Sequence, residues 1–466
     1  MAHGSNLLFV FADQMRGMDM RCAGNPQVHT PNMDRLAREG LRLTNAIATT
    51  PVCGPNRAVL LTGSYPTTNT VLANDLPLPV ELPTLGTVAR DQGYRTGYIG
   101  KWHLDGMPRN KFTPPGPRRF GWDYWAAYNC SHDYFHPRYY SDDPTVIEPG
   151  GYEPVVQTDL AIKFLKQQVG APQPFCLTLS WGPPHDPYDQ VPTTYRDQYD
   201  PHKITLRPNV QPDVPNALAR GLDCRRVTAD YYGAITALDH ELGRLLDTLD
   251  QLGLAENTLV VFTSDHGDML WSHGMMKKQT PYEESILVPF IARFPGKLPA
   301  GETSNIPLGT VDIAPTLADW LGWKVPPQWE GRALSAAAAH GTCKSVFIAN
   351  HCRYDEAVMQ NIPEWRGVRT DRHTYAETVG RRPWLLFDNV EDPFQMRNLL
   401  GDLTEQPLQD RLQRMLGEWL KQVNDPFLST ENMISHYGLS ELWRKREMEM
   451  HPAENQPGAI AAAIRR

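Results

Sequence analysis

No apolar run in this 466-residue chain approaches the roughly 18 residues that a membrane-spanning helix needs. The start, MAHGSNLLFVF, has no basic stretch leading into a long apolar one, so no secretory signal is expected in it. The expected compartment is the cytoplasm, or the periplasm or the exterior where residues 2–5 replace a removed signal. Positive charge is also short. A formal net charge of −8 lacks the basic excess that nucleic-acid binding requires, and it means that any anion site must be basic locally. Cysteine is sparse: the seven residues, at 22, 53, 130, 176, 224, 343 and 352, show no CxxC pairs, which argues against a zinc site and against a disulfide scaffold. Most of them read as small core residues. There is no internal repeat, and no feature sets an oligomeric state.

What is present is the composition of a globular protein, with 41% hydrophobic and 21% charged residues and enough length for one large α/β domain plus a smaller one. Four short apolar runs, at 7–11, 96–99, 175–179 and 259–262, suit buried strands of a parallel sheet. Helical patterns lie between them. One opens at Thr30-Pro31, with a cap residue and a first-turn proline, and closes at Gly40; another ends at Gly93. The clearest spaces Ala229, Tyr232, Ile235, Leu238, Leu242, Leu245, Leu249 and Leu252 by three and four, then stops at Gly253. This alternation predicts a mostly parallel, doubly wound sheet with helices on both faces. From about 365 the texture changes to short, partly alternating strands and a helical pattern at 407–423, which predicts a small antiparallel unit. The division expected is 1–364 and 365–466, with the tail after about 450 docking as a helix or fraying.

The residues after each apolar run carry chemistry: Asp13-Gln14 after the first, Lys101 and His103 after the second, His185 after the third, Asp265-His266 after the fourth. Ligands bind an open α/β sheet outside the carboxyl ends of its strands, so these groups should converge on one edge. Asp13, Gln14, Asp265 and His266 offer mainly oxygen donors, which suits calcium or magnesium, while the imidazole leaves manganese open. A single Asp at a strand end equally often caps the next helix. Lys101 and His103, one residue apart, project to the same side of extended backbone and can act on one anion.

The run Cys53-Gly54-Pro55-Asn56-Arg57-Ala58 places a cysteine at a helix N-terminus, where amide N–H groups and the helix dipole favour an anion, with Arg57 one turn on to support that charge. Such a cysteine suits a low-pKa thiolate nucleophile paired with histidine. Cys53-x-Pro55-x-Arg57 followed by Leu-Thr-Gly also resembles the signature of type I sulfatases. The segments HTPNMDRLAREG, GYRTGYIGKWHLDG, TSDHGD, VDIAPTLADWLG and FDNVEDPFQMRNL resemble sulfatase segments too, in the family's order, over about residues 6 to 400.

The resemblance implies an alkaline-phosphatase-like α/β sandwich with a small C-terminal sheet subdomain. It implies that Cys53 is oxidised to formylglycine by a formylglycine-generating enzyme, and that Asp13, Gln14, Asp265, His266 and the modified Cys53 hold one divalent metal ion, usually Ca2+, with Mg2+ or Mn2+ as alternatives. Arg57, Lys101, His103, His185 and Lys278 are implied around formylglycine and sulfate, Lys278 standing four residues before Tyr282-Glu283. Hydrated formylglycine attacks sulfur with one hydroxyl and expels sulfate with the other, His103 taking the proton; His185 or Lys278 protonates the leaving alcohol. Where many members have Asp-Asp and Asp-Asn, this chain has Asp13-Gln14 and Asp265-His266, as in bacterial sulfatases and phosphonate monoester hydrolases. The latter lack the GKWH segment, which favours sulfate here.

The expected substrate is a small sulfate monoester, of a carbohydrate or an aryl alcohol. Nine aromatic residues between Phe120 and Tyr140, with His132 and His136 among them, read either as core packing or as a platform for a sugar ring. Asn74, Asp75 and Tyr188 are further substrate candidates beside motif residues. The competing readings are a phosphate or phosphonate ester hydrolase on the same scaffold, a silent sugar-binding relative, and a plain cysteine hydrolase.

Overall fold

The computed structural model describes residues 4–335 and 345–451, so Cys343 and the alanine-rich tail lie outside the described residues. An eight-stranded sheet forms the centre, in spatial order Glu302–Ser304, Leu41–Leu43, Phe290–Arg293, Thr258–Ser264, Asn6–Asp13, Phe175–Pro184, Arg95–Lys101 and Tyr124–Tyr128. Neighbours are parallel except where Phe290–Arg293 is inserted antiparallel. The four apolar runs are four adjacent interior strands, as the sequence predicts. They lack polar alternation because both sheet faces are covered. In the Asn6–Asp13 strand, Leu7, Phe9 and Phe11 enter one core while Leu8, Val10 and Ala12 enter the other, the period of two expected of extended backbone.

The second core takes Met33 and Leu36 of the helix Pro31–Glu39 and the apolar stripe of Cys224–Gln251. Thr30, the expected cap of Pro31–Glu39, caps nothing there with its side chain, which instead accepts the Arg21 N–H at 2.9 Å. Asp239, on the neighbouring helix, accepts the N–H groups of Asn32 and Met33 in its place, a long-range cap invisible to local pattern. The first core takes Ala58, Leu60 and Leu61 of the helix Cys53–Thr62, every residue of which is buried.

The second sheet is antiparallel, in the order Ser345–Asn350, Trp365–Thr370, His373–Thr378 and Arg382–Asp388. A boundary at 365 cuts it: Ser345–Asn350 pairs along its length with Trp365–Thr370, from Ser345 opposite Thr370 to Asn350 opposite Trp365. The long connection between the two strands hid that pairing, so the C-terminal unit begins before its expected limit. Leu412, Leu416 and Leu420 on one stripe of Gln406–Gln422 pack with Val59 of the Cys53 helix and with this sheet. The chain then turns back, and Met433, Ile434 and Leu439 join the first core. Among the described residues no helix is long and apolar enough to cross a membrane.

Register brings the strand ends level. Asp13 stands opposite Pro184, Ala12 opposite Ser264, and Gly100 opposite Ser180. Gly100 has φ of 101°, and a Cβ there would fall 2.0 Å from the Ser180 carbonyl oxygen, so only glycine lets these two strands deliver their ends together.

Candidate active site

The four clusters predicted to meet do meet. Asp13 and Asp265 close neighbouring strands with no exposed surface, and Cys53 opens its helix beside them, 2% exposed. The Cys53 Sγ lies 3.6 Å from Asp13 Oδ1 and 3.1 Å from His266 Nε2. His266 Nε2 is 3.6 Å from the Oδ1 of both Asp13 and Asp265. One donor atom from each of Asp13, Cys53, Asp265 and His266 therefore falls within 4.8 Å of all the others. His266 Nδ1 donates to the Gly267 carbonyl at 2.9 Å, so Nε2 is the ring nitrogen that faces the cluster. Burial opposes its protonation, yet Asp265 and Cys53 raise its pKa to about 9, so this spot attracts positive charge.

Arg57 departs from expectation. Instead of facing an anion, its Nε donates to Asp265 Oδ2 at 3.0 Å, its Nη2 to Asp13 Oδ2 at 3.1 Å, and its Nη1 to the Lys101 carbonyl and Ser180 Oγ, each at 2.7 Å. The bridge turns both Oδ2 atoms to the guanidinium and leaves the Oδ1 atoms facing the cluster. Lys101 Nζ reaches Asp13 Oδ2 at 2.5 Å. Burial and Cys53 work against ionisation of Asp13, but Lys101, His185 and Arg57 outweigh them and hold its pKa below the usual carboxylate range. Burial pushes the Cys53 thiol up, and Lys278, Lys101 and His266 more than reverse that, holding it well below its ordinary value. In a chain of net charge −8, cationic side chains thus gather around residue 53.

Gln14 enters through both ends of its amide: Nε2 donates to Asp268 at 2.7 Å and Oε1 accepts from Lys278 Nζ at 2.8 Å. Lys278 also touches His185 Nε2 at 2.8 Å, while His185 Nδ1 donates to the Asp186 carbonyl. Burial and the Lys278 charge push the His185 pKa down to about 4, so His185 accepts a hydrogen bond from the ammonium. Between the two proposed proton donors, Lys278 holds the proton. His132 stacks on His185, ring centroids 4.2 Å apart, and meets Lys101 Nζ at 3.2 Å.

His103 has left the strand by a left-handed kink, with φ of 56°. Its Nε2 donates to Asp75 at 3.1 Å, and Arg109 forks onto the same carboxylate at 2.8 and 2.7 Å. His103 Nδ1 is buried without a hydrogen-bond partner. Burial lowers its pKa, but Cys130, Asp75 and Cys53 together raise it to about 10. Asn74 Oδ1 accepts the Gly54 N–H at 2.8 Å and so caps the Cys53 helix from a distant loop. A Cβ at position 54 would lie 3.2 Å from that oxygen and 3.3 Å from the Asn74 Cα, so glycine permits the approach.

One substrate candidate, His136, is placed elsewhere, and a second, Tyr188, has its hydroxyl committed to a support residue. His136 is exposed and hydrogen-bonds Asp133, three residues back, on the surface. The aromatic segment containing it is mainly core: Trp122, Trp125, Tyr128 and Tyr134 are buried, and Tyr124–Tyr128 forms the edge strand. Tyr188 lines a cavity of about 450 Å³ beside the site with Asp186, Asp189, Leu222, Asp230 and Lys277, but its hydroxyl donates to Asp268 Oδ2 at 2.7 Å. Tyr188→Phe is therefore expected to cost about 1–3 kcal/mol of stability, by leaving a buried acceptor underused, with KM unchanged; thermal melts and steady-state kinetics check both. Sequence reading also missed Asp268 as a support, Arg109, Ser180 and Glu356, the last 3.8 Å from Lys278 Nζ. Only Asp268 carried a signal, as the final residue of TSDHGD.

Comparison with known proteins places this geometry among relatives. The family profile "Sulfatase" matches residues 5–323, and "N-sulphoglucosamine sulphohydrolase, C-terminal" matches residues 271–422. An ulvan-active sulfatase of Formosa agariphila is 39% identical over 439 residues, covering 93% of this chain and 84% of its own. The solved structure of a putative sulfatase yidJ from Bacteroides fragilis superposes with a TM-score of 0.81 at 32% identity, covering 91% of this chain and 97% of that one. A protein solved in complex with its substrate D-glucosamine-2-N,6-O-disulfate superposes with a TM-score of 0.75 at 25% identity, covering 91% and 99%.

Proposed function

The chain belongs to the sulfatase family and is a sulfuric ester hydrolase, and from that premise we propose that it cleaves sulfate monoesters of a carbohydrate at residue 53, converted to formylglycine by a formylglycine-generating enzyme. The observation that carries this reading is the convergence of Cys53 Sγ, at a buried helix N-terminus, with two carboxylates and a correctly oriented imidazole inside 4.8 Å.

That donor set fits a divalent cation. Asp13 and Asp265 turn one oxygen each into the cluster, His266 turns Nε2 to it, where a cation would take the place of a proton, and residue 53 adds a donor, while Gln14 Oε1 is held by Lys278 Nζ beside them. Calcium suits the oxygen-rich part, with magnesium and manganese next. A divalent cation held by Asp13, Asp265, His266 and residue 53 would supply Lewis acidity to the site. Arg57 keeps the carboxylates aligned. Lys101 and Lys278 neutralise the sulfuryl oxygens from fixed positions, an electrostatic stabilisation that needs no reorganisation. Lys278 delivers the proton to the departing alcohol oxygen, with His185 holding the ammonium in place. His103 Nδ1 takes the proton from the hydroxyl at residue 53, its tautomer set by Asp75. Burial lowers the His103 pKa but Cys130 chiefly raises it, so His103 carries a proton in the thiol form and acts as a base only once that proton has left.

The alcohol portion is assigned to the 450 Å³ cavity lined by Asp186, Tyr188, Asp189 and Lys277, a size in the range of small-molecule sites and rich in groups that read hydroxyls. The relative solved with a disulfated glucosamine supports a sugar as the class of substrate. Protein of measured aldehyde content, offered a panel of defined O-sulfated sugars and aryl sulfates, is expected to release sulfate fastest from one sulfated sugar. Faster turnover of aryl phosphonate monoesters than of every sulfate in the panel would overturn the proposal.

A further inference from the structure

We infer that Arg446, on a C-terminal helix beyond both matched family stretches, is a positioning residue of the active site: it holds the Asn74–Asp75 segment on which both residue 53 and His103 depend. The matched stretches end at residues 323 and 422, whereas this helix is Ser440–Met450.

Arg446 is fully buried although most of its helix is exposed. Its Nε donates to the Asn74 carbonyl at 3.0 Å and lies 3.9 Å from Asp75 Oδ2. Its other two nitrogens are tied to Asp355 and Glu447. The guanidinium stands over the rings of Tyr354, at 4.6 Å, and Trp443, at 5.3 Å. The Tyr354 hydroxyl in turn accepts the Asn74 N–H at 2.9 Å. Both backbone polar groups of Asn74 are thus held by residues of the C-terminal part. The next residue, Asp75, has φ of 69°, a left-handed conformation that a non-glycine residue keeps only where its surroundings impose it.

The segment held in this way serves the chemistry twice. The Asn74 side chain fixes the amide immediately after residue 53, and the Asp75 carboxylate fixes the imidazole that faces residue 53. A displacement of 74–75 moves both together. Arg446 touches no reacting atom and acts through these two. Lysine keeps the charge but lacks the planar fork that spans the Asn74 carbonyl, Asp355 and the two rings.

The inference rests on the sulfatase reading, and its test separates the two. Full-length Arg446→Lys and Arg446→Met, each alone and combined with Asp75→Asn, are compared at measured aldehyde content on 4-nitrophenyl sulfate and on O-sulfated N-acetylglucosamine. Hydrogen exchange of the peptide covering 71–78 is followed in the same proteins. The expected result is a fall in kcat of about 10–100-fold with KM little changed, since misplacement of about 1 Å costs that order of rate. The same substitution should cost far less once Asp75 is asparagine, because coupled residues are not additive. The 71–78 peptide should exchange faster in both variants. Unchanged kcat, losses of equal size in both backgrounds, or retained protection of 71–78 would each overturn the inference. Where Arg446→Met fails to fold, Arg446→Lys decides the matter. Wild-type protein that releases sulfate from no ester would count against the sulfatase reading, while the exchange measurement still decides Arg446.

Discussion

Cys53→Ala protein is expected to fold and to lose at least about 10⁴-fold in kcat, the scale on which removing a catalytic nucleophile acts. Folding is retained because the helix that starts at residue 53 is capped by Asn74 at the Gly54 amide and buried along its whole length, neither of which involves the thiol. Cys53→Ser is more informative. A serine hydroxyl in the same cationic pocket can attack sulfur, but it has no second hydroxyl with which to expel sulfate. The expected outcome is one sulfuryl group per chain, seen by intact-mass spectrometry, followed by arrest. Full multiple-turnover activity in the serine variant would remove the need for an aldehyde and sink the mechanism.

Asp13→Asn is expected to abolish activity and to cost about 3–5 kcal/mol of stability, the penalty for breaking a buried ion pair from one side. Two effects compete at this position. Asp13 and Asp265 repel one another, and relief of that repulsion favours the substitution; the Asp265 pKa is raised, by burial first and by Asp13 second. Against it, Asp13 Oδ2 holds the Lys101 ammonium and Arg57 Nη2. The ion pairs with Lys101 and Arg57 offset that repulsion and lower the Asp13 pKa, so loss of the carboxylate strands the fully buried Lys101 ammonium. The cation dependence follows. Wild-type protein should gain about 2.7 kcal/mol from calcium at about a hundred times its Kd, and chelation should reverse the gain. The variant should gain nothing. Melting curves with and without calcium, read on both proteins, check this, and an equal shift in the variant would place the cation elsewhere.

The catalytic edge was legible because its residues directly follow buried strands. Once 7–11, 96–99, 175–179 and 259–262 read as parallel strands, topology alone brings Asp13, Lys101, His185 and Asp265 together. Where the chemistry depends on contacts far apart in sequence, local pattern is silent. Asp75 is held by Arg109 and Arg446, and Lys278 faces Glu356; no spacing rule links those positions. Arg57 shows a different limit: the helix N-terminus predicted where its side chain starts, while its bonds are set by two carboxylates on other strands. The aromatic run from Phe120 offered both a core and a platform reading. Its outcome turned on Tyr124–Tyr128 becoming an edge strand in which Trp125 and Tyr128 are buried and Tyr124 half-buried.

The claim that residue 53 works as an aldehyde in sulfate ester hydrolysis is tested most directly by correlating modification with turnover. Preparations made with and without co-expressed formylglycine-generating enzyme would be compared, with the tryptic peptide containing residue 53 weighed and sulfate release from a sulfated sugar measured on the same sample. The expected result is a rate proportional to the aldehyde fraction, passing through zero for protein that carries only thiol. Undiminished turnover by thiol-only protein would contradict the account.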